Sequence, residues 1–202
     1  MANTDNPTGL TPVKYAWGGA YDGTCRPYHV LSTYATALFI GDPVILTGTS
    51  NTVEIRGFPP GVLPNVQKAT AGTTNKITGV IVGFLPLDGH DSNVYGAAST
   101  TRIALVADSP QLLFAIQADS SAALAAVDIG LNANVVYTHS GNTYTGRSGV
   151  ELNATTPGSA VGDQLSIISL LDSPDNELGT HAKFLVRINN HTYTPGVVGA
   201  PV

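Results

Sequence analysis

The chain has 202 residues and a net charge of −5, and only 11% of its residues are charged, against roughly 25% in an ordinary soluble domain. Its nine Lys and Arg residues are scattered, which argues against direct nucleic-acid binding, and its apolar runs are too short to span a bilayer. The 22 Gly and 13 Pro residues, together with abundant Thr, Ser and Asn, favour turns and strands and predict an all-β protein.

Residues 1–27 are predicted to form an extended N-terminal arm, because Gly and Pro interrupt every regular period in this segment. The first seven residues contain neither a basic region nor an apolar segment, so we expect no secretory signal and synthesis in a cytoplasm. Tyr15, Trp17 and Tyr21 are apolar anchors in the arm. They are expected to dock either on the chain's own domain or on a neighbouring molecule.

Residues 28–191 are predicted to form a β domain of barrel or sandwich type with short strands, since apolar segments alternate with turn signals. An Ala-rich stretch at 120–127 is the helix candidate, with Asp119 or Ser120 as its cap. Residues 192–202, rich in Gly and Pro, are predicted to form a C-terminal tail. The predicted strands are 28–31, 44–47, 53–56, 77–84, 102–107, 112–117, 135–138, 164–171 and 183–189.

A local pattern occurs twice in the β domain. Gly41-Asp42 and Gly162-Asp163 each follow an apolar residue and precede a β-rich run. In such a pair the Gly can adopt a positive φ and the Asp can accept a hydrogen bond from a nearby backbone amide, which turns the chain into a strand. Two small, related β units are one interpretation of this pattern, and coincidence is the other.

The segment 57–64 is predicted to be a loop, because its three prolines exclude a central strand. Phe58 lies in this loop with two aliphatic residues. It is therefore a second candidate for an apolar contact with a neighbouring molecule.

Motifs for catalysis or metal binding are not found in the sequence. None of the five histidines pairs with another His or with Cys25 at a zinc-ligand spacing, and no known nucleophile or phosphate-loop motif occurs. Acidic segments at 88–93 and 172–177 lack the spacing of a calcium loop and are expected to be solvated turns. A lone Cys is more often a packing residue than a nucleophile. We therefore expect no enzymatic activity, no metal and no cofactor.

The low charge indicates how the surface is used. Charged residues are depleted at the centre of protein interfaces, so we expect copies of the chain or a partner to cover part of the exterior. A monomer coated with Thr, Ser and Asn has the same composition and stays an alternative.

Seven segments of the chain carry a resemblance to known proteins: PTGLTPV at 7–13, ATALFIGDPV at 35–44, ATAG at 69–72, ITGVIVGF at 77–84, RIALVAD at 102–108, SPDNELG at 173–179 and KFLVRINNH at 183–191. These segments resemble small head proteins of tailed bacteriophages, the decoration or cement proteins. The resemblance covers most of the chain, whereas the loop at 58–64 and the tail after His191 depart from it.

The resemblance implies a barrel-like protein, commonly trimeric, that binds outside an icosahedral capsid and braces its subunits. The expected partner is the major capsid protein, and the expected location is the virion surface after synthesis in the bacterial cytoplasm. The candidate interface residues are Tyr15, Trp17, Tyr21 and Phe58. Two alternatives are another phage component, such as a tail or head–tail connector protein, and a β-rich carbohydrate-binding module or hydrolase.

Overall fold

The structure is a computed structural model that describes residues 3–87, 93–194 and 196. Its regular elements in these residues are twelve strands and one 3₁₀ turn at Ala126–Asp128, so the prediction of an all-β fold is confirmed. The strands are β1 Thr11–Tyr15, β2 Arg26–Val30, β3 Pro43–Ser50, β4 Pro64–Lys68, β5 Gly79–Leu85, β6 Arg102–Ala107, β7 Leu112–Gln117, β8 Asn132–Ala133, β9 Val135–Val136, β10 Glu151–Leu152, β11 Leu165–Leu170 and β12 Lys183–Ile188.

Five strands between residues 26 and 107 form a closed barrel in the order β2-β4-β3-β5-β6. Most neighbours are antiparallel, and a parallel pair between His29 of β2 and Asn65 of β4 closes the ring. At this closure, Nδ1 of His29 lies 2.6 Å from Oδ1 of Asn65. Closure removes free sheet edges, and it encloses a small apolar core. This core consists of Tyr28, Val30, Leu38, Val44, Val66, Ile81, Ala104 and Val106.

An antiparallel sheet in the order β1-β7-β12-β11-β8 combines the N-terminal strand β1 with four strands from the second half of the chain, and the two-stranded ribbon β9-β10 flanks it. Phe114, Phe184 and Val186 of this sheet belong to the larger apolar core. Val80 and Ala107 of the barrel belong to the same core, so the barrel and the sheet pack against each other.

The N-terminal segment is not the irregular arm that the sequence predicts. Thr11–Tyr15 is an edge strand on β7, Leu10 is buried, and Asn3 Nδ2 donates to the carbonyl oxygens of Glu177 at 2.8 Å and Thr180 at 2.9 Å. The prediction was wrong for this strand because Pro12 lies next to a β-bulge on a sheet edge, where a missing N–H is tolerated.

Two other predicted elements are also wrong. Residues 53–56 form a bend and a turn rather than a strand, and Ile55 makes only an isolated bridge to Phe58. The stretch 120–127 contains no α-helix, because Asp119 does not act as a helix cap. Its Oδ1 instead accepts hydrogen bonds from the Ser121 hydroxyl at 2.6 Å and from the Ala154 backbone N–H at 2.9 Å.

The start of the C-terminal tail is attached to the barrel. The Thr192 N–H donates to the carbonyl of Ile77 at 3.0 Å, and the Tyr193 hydroxyl lies 3.3 Å from the Tyr28 hydroxyl. Residues 195 and 197–202 of the predicted tail lie outside the described residues.

Acid is expected to destabilise the fold through His191, which is fully buried beside this junction. Its Nδ1 accepts the Tyr193 N–H at 3.0 Å, and burial lowers the pKa of the imidazole. As the pH falls below about 6.5, this imidazole binds a proton in the unfolded chain but stays neutral in the folded chain. The free energy of unfolding therefore decreases from about pH 6.5 down to the lowered pKa of the folded state. His191→Asn keeps an acceptor for Tyr193 and should flatten the fall in melting temperature between about pH 7.5 and pH 5.5. An identical fall in the variant would refute this.

Candidate functional site

Tyr15 and Trp17 form a stacked aromatic pair at the end of β1, with ring centroids 4.8 Å apart and planes 2° apart. The chain reverses direction here, since the Gly18 N–H donates to the Tyr15 carbonyl at 2.9 Å and the Tyr15 N–H donates to the Gly19 carbonyl at 2.7 Å. Trp17 is 68% exposed. The turn therefore holds the indole in a fixed, accessible position.

Tyr21 lies beside this pair but is half-buried and packs against the larger core. Its N–H donates to the Val13 carbonyl at 3.1 Å, and its hydroxyl donates to the Thr24 carbonyl at 3.1 Å. Burial, assisted by Cys25, raises the pKa of Tyr21 to about 12. Tyr21 thus packs the turn against the core, whereas Trp17 is the aromatic ring of this turn that is exposed to solvent.

Phe58 lies in a different element, the loop between β3 and β4 of the barrel, and is half-buried. In this loop Val53 and Val62 are the more exposed apolar side chains. The buried Asn51 organises the loop: its Nδ2 donates to the Pro59 carbonyl at 2.9 Å, and its Oδ1 accepts the Leu63 N–H at 2.9 Å. The sequence contains a signal for this arrangement, an Asn shortly before a proline-rich loop, and this signal was missed.

Five polar side chains meet where the N-terminal segment crosses the second sheet, and we call them the histidine–carboxylate cluster: Asp5, Gln117, His139, Glu151 and His181. Ligand atoms of Asp5, Glu151 and His181 all lie within 4.8 Å of one another. Nδ1 of His139 is 3.0 Å from Oε2 of Glu151, and Nε2 of His139 is 3.6 Å from Oδ2 of Asp5.

The cluster is partly buried and has little positive charge. Glu151 is 1% exposed, and its Oε2 also accepts a hydrogen bond from the Thr138 hydroxyl. Among the described residues, the ion-pair partners of Asp5 and Glu151 are His139 and His181, which carry charge only when protonated. Two carboxylates therefore lie together without a permanently charged partner in this part of the molecule.

The sequence shows no zinc-ligand spacing among its histidines, and the members of this cluster are far apart in the chain. His139 and His181 are 42 residues apart in the sequence, and the sheet together with the docked N-terminal segment brings their carboxylate partners to them. No short-range spacing of residues in the sequence indicates such a group. Sequence reasoning therefore had no signal with which to find it.

The remaining candidates have no comparable arrangement in the described residues. The acidic segment at 172–177 is a turn in which Asn176 donates to the carbonyls of Leu171 and Lys183, each at 2.8 Å. Residues 88–92 of the other acidic segment lie outside the described residues. Cys25 is a half-buried free thiol, and burial raises the pKa of that thiol, which disfavours the reactive thiolate.

Comparison with known proteins finds no family model, no curated protein and no solved structure that matches this chain. Within the described ranges, no helix has the length and apolar character needed to cross a membrane.

Proposed function

We propose that this chain is a structural protein of a tailed-phage particle, a decoration protein that binds outside the icosahedral head and stabilises it, without enzymatic activity. The observation that carries the proposal is the exposed Trp17 ring, stacked on Tyr15 at the end of an edge strand. The all-β fold, the low charge and the sequence resemblance support the same function. The proposed partner is the major capsid protein, and the proposed location is the virion surface.

Trp17 is suited to act as the anchor of such a contact. An aromatic side chain of this kind has about 150–250 Å² of surface to bury, and 68% of Trp17 is still exposed and available to an interface. Its burial favours binding, and the costs of ordering and desolvation on association reduce the gain. Stacking on Tyr15 already restricts the ring, so less side-chain entropy is lost on binding. The half-buried Tyr21 beneath the turn contributes to this rigidity rather than to contact area.

We also propose that the chain forms a homotrimer. A closed three-fold ring covers surface that the 23 charged side chains leave apolar or neutral, and it presents three Trp17 anchors to the shell. Three weak contacts made together give an avidity far above that of one contact. Native mass spectrometry of the full chain should show a trimer, and a monomer at micromolar concentration would contradict this part of the proposal.

Trp17→Ala is expected to weaken binding to capsids about tenfold or more, because hot-spot aromatics carry much of an interface's energy. The matched control is Tyr144→Ala, since Tyr144 is 93% exposed in another loop. Co-sedimentation with heads stripped of this protein measures both affinities. Equal binding by the Trp17 variant and the wild type would show that the aromatic pair is not the contact.

The copy number in purified particles separates decoration from other roles in the virion. A decoration protein should be present in proportion to the major capsid protein, whereas a connector protein forms a single ring at one vertex. Quantitative mass spectrometry of purified virions gives this ratio. Absence of the chain from the particle would refute both roles.

The exposed indole also favours a second candidate, a carbohydrate-binding function, because sugar rings stack on exposed aromatic faces. A glycan array probed with the wild type and with Trp17→Ala tests it. Signals that require Trp17, combined with no affinity for capsids, would replace the decoration proposal with this one.

A further inference from the structure

The histidine–carboxylate cluster contains the ligand types that transition-metal ions select. Zinc in proteins is bound by imidazole nitrogens and carboxylate oxygens, at bond lengths of about 2.0–2.2 Å. Two ligand atoms on a tetrahedral ion of that size lie about 3.4 Å apart. Nδ1 of His181 and Oδ1 of Asp5 are 3.6 Å apart, so these two atoms are already near the spacing of a shared ion.

We propose that Asp5, Glu151 and His181 bind one Zn²⁺ or a comparable first-row divalent ion, and that the ion fastens the N-terminal segment to the second sheet. Asp5 comes from that segment, Glu151 from β10 and His181 from the turn before β12. Water completes the coordination, and His139, whose Nδ1 lies 3.0 Å from Oε2 of Glu151, orients that carboxylate. The inference is independent of the decoration function.

The charge of the cluster supports a cation. Burying a carboxylate is costly unless it is paired, and Glu151 is 1% exposed. The ion-pair partners of Asp5 and Glu151 in the described residues are His139 and His181, and neither carries a permanent charge. A divalent ion supplies the two positive charges that balance the two carboxylates.

Gln117 marks the position where the ligand atoms converge. Its Nε2 lies 3.0 Å from Oδ1 of Asp5, 3.4 Å from Oε1 of Glu151 and 3.4 Å from Nδ1 of His181. The Asn6 N–H donates to Gln117 Oε1 at 3.1 Å, which fixes the orientation of the amide. The ion and the amide group therefore compete for the same three atoms, and an ion that binds displaces the amide.

The cluster is open to solvent from two sides. His139 lines a cleft of about 420 Å³, His181 lines a smaller one of about 170 Å³, and Asn6 borders both. The side chain of Asp5 is 43% exposed. An ion can reach the ligands without unfolding of the sheet.

The test is a titration of the full chain with ZnCl₂ by isothermal calorimetry, after removal of metal with a chelator. We expect one ion per chain, a higher melting temperature with zinc, and slower hydrogen exchange in residues 3–9. Asp5→Asn and His181→Asn should each weaken binding about tenfold or more. Asn suits the second position because His181 has a φ of 57°, which Asn tolerates.

Two further variants keep the test decisive. Glu54→Gln removes an exposed carboxylate elsewhere and should leave the zinc affinity unchanged. Gln117→Glu replaces the competing amide with a carboxylate, so it should lower stability without metal and bind zinc more tightly than the wild type. The proposal fails if zinc shows no saturable binding, or if Asp5→Asn and His181→Asn bind it as well as the wild type while remaining folded by circular dichroism.

Discussion

Asp42→Ala is expected to lower the free energy of unfolding by about 3–5 kcal/mol, the usual cost of breaking a buried ion pair. Asp42 is fully buried where the barrel meets the second half of the chain. Its carboxylate accepts the Phe39 N–H at 2.8 Å and the Ser148 hydroxyl at 2.6 Å, and it pairs with the Lys68 ammonium at 3.0 Å. Removing it leaves a donor from each of three segments without its acceptor.

Lys68 increases the loss of stability that we expect in Asp42→Ala. Its ammonium also lies 4.5 Å from the centre of the Tyr137 ring, and its side chain is only 20% exposed. Without Asp42 the Lys68 ammonium stays partly buried, and the aromatic ring alone stabilises its charge less than the carboxylate does.

Urea denaturation of Asp42→Ala and of Glu54→Ala gives the comparison. Glu54 is exposed, so its removal should change stability little. For a chain of this length the Asp42 variant should melt roughly 10 °C lower than the wild type. Equal stability of the two variants would mean that the buried carboxylate contributes nothing net to the fold.

The sequence predicted those strands in which apolar and β-branched residues form continuous runs. Arg102–Ala107 and Leu112–Gln117 are found within their predicted bounds, separated by a turn around Pro110. The two-residue strands Asn132–Ala133 and Glu151–Leu152 were missed, because such short pairings have no periodicity of their own and form only through contacts with distant strands. Pro64–Lys68 was missed because its first residue closes a proline-rich loop.

The repeated Gly-Asp pattern shows how far local chemistry can be predicted. At the first copy Gly41 has a φ of +96° and Asp42 accepts a nearby backbone N–H, as the pattern predicts. At the second copy the partners of Asp163 are side chains, namely the Thr73 hydroxyl at 2.6 Å and the Asn134 amide at 3.0 Å. The identity of such distant partners depends on the tertiary fold, which a dipeptide does not encode.

The interface formed by Tyr15, Trp17, Tyr21 and Phe58 stays a prediction, and the histidine–carboxylate cluster was not predicted. Trp17 is exposed in the structure, but Tyr21 packs inward and Phe58 lies in a separate loop. An aromatic residue in a Gly- and Pro-rich segment has the same local pattern whether it faces solvent or the core. The side that it faces is decided by β1 pairing with β7, about a hundred residues away in the sequence.

Gly41→Ala is expected to disrupt the junction between the N-terminal segment and the barrel. A Cβ on Gly41 would lie 2.6 Å from the Thr8 carbonyl oxygen and 3.1 Å from Cα of Gly9. The first distance is shorter than a carbon atom allows and the second is tighter than most real contacts, and both involve backbone that cannot rotate away. The Leu10 N–H donates to the Gly41 carbonyl at 3.0 Å at the same place, so relieving the clash also breaks this bond.

Gly48→Ala is the matched control for this substitution. Gly48 has a φ of +83°, but a Cβ there meets nothing within 4 Å, so the variant carries the backbone strain of about 1–2 kcal/mol without the clash. Gly41→Ala should therefore be less stable than Gly48→Ala in urea, and limited proteolysis should cut it faster within residues 3–10. If the two variants unfold at the same urea concentration and are cut at the same rate, the close approach of the two backbones does not hold the N-terminal segment in place.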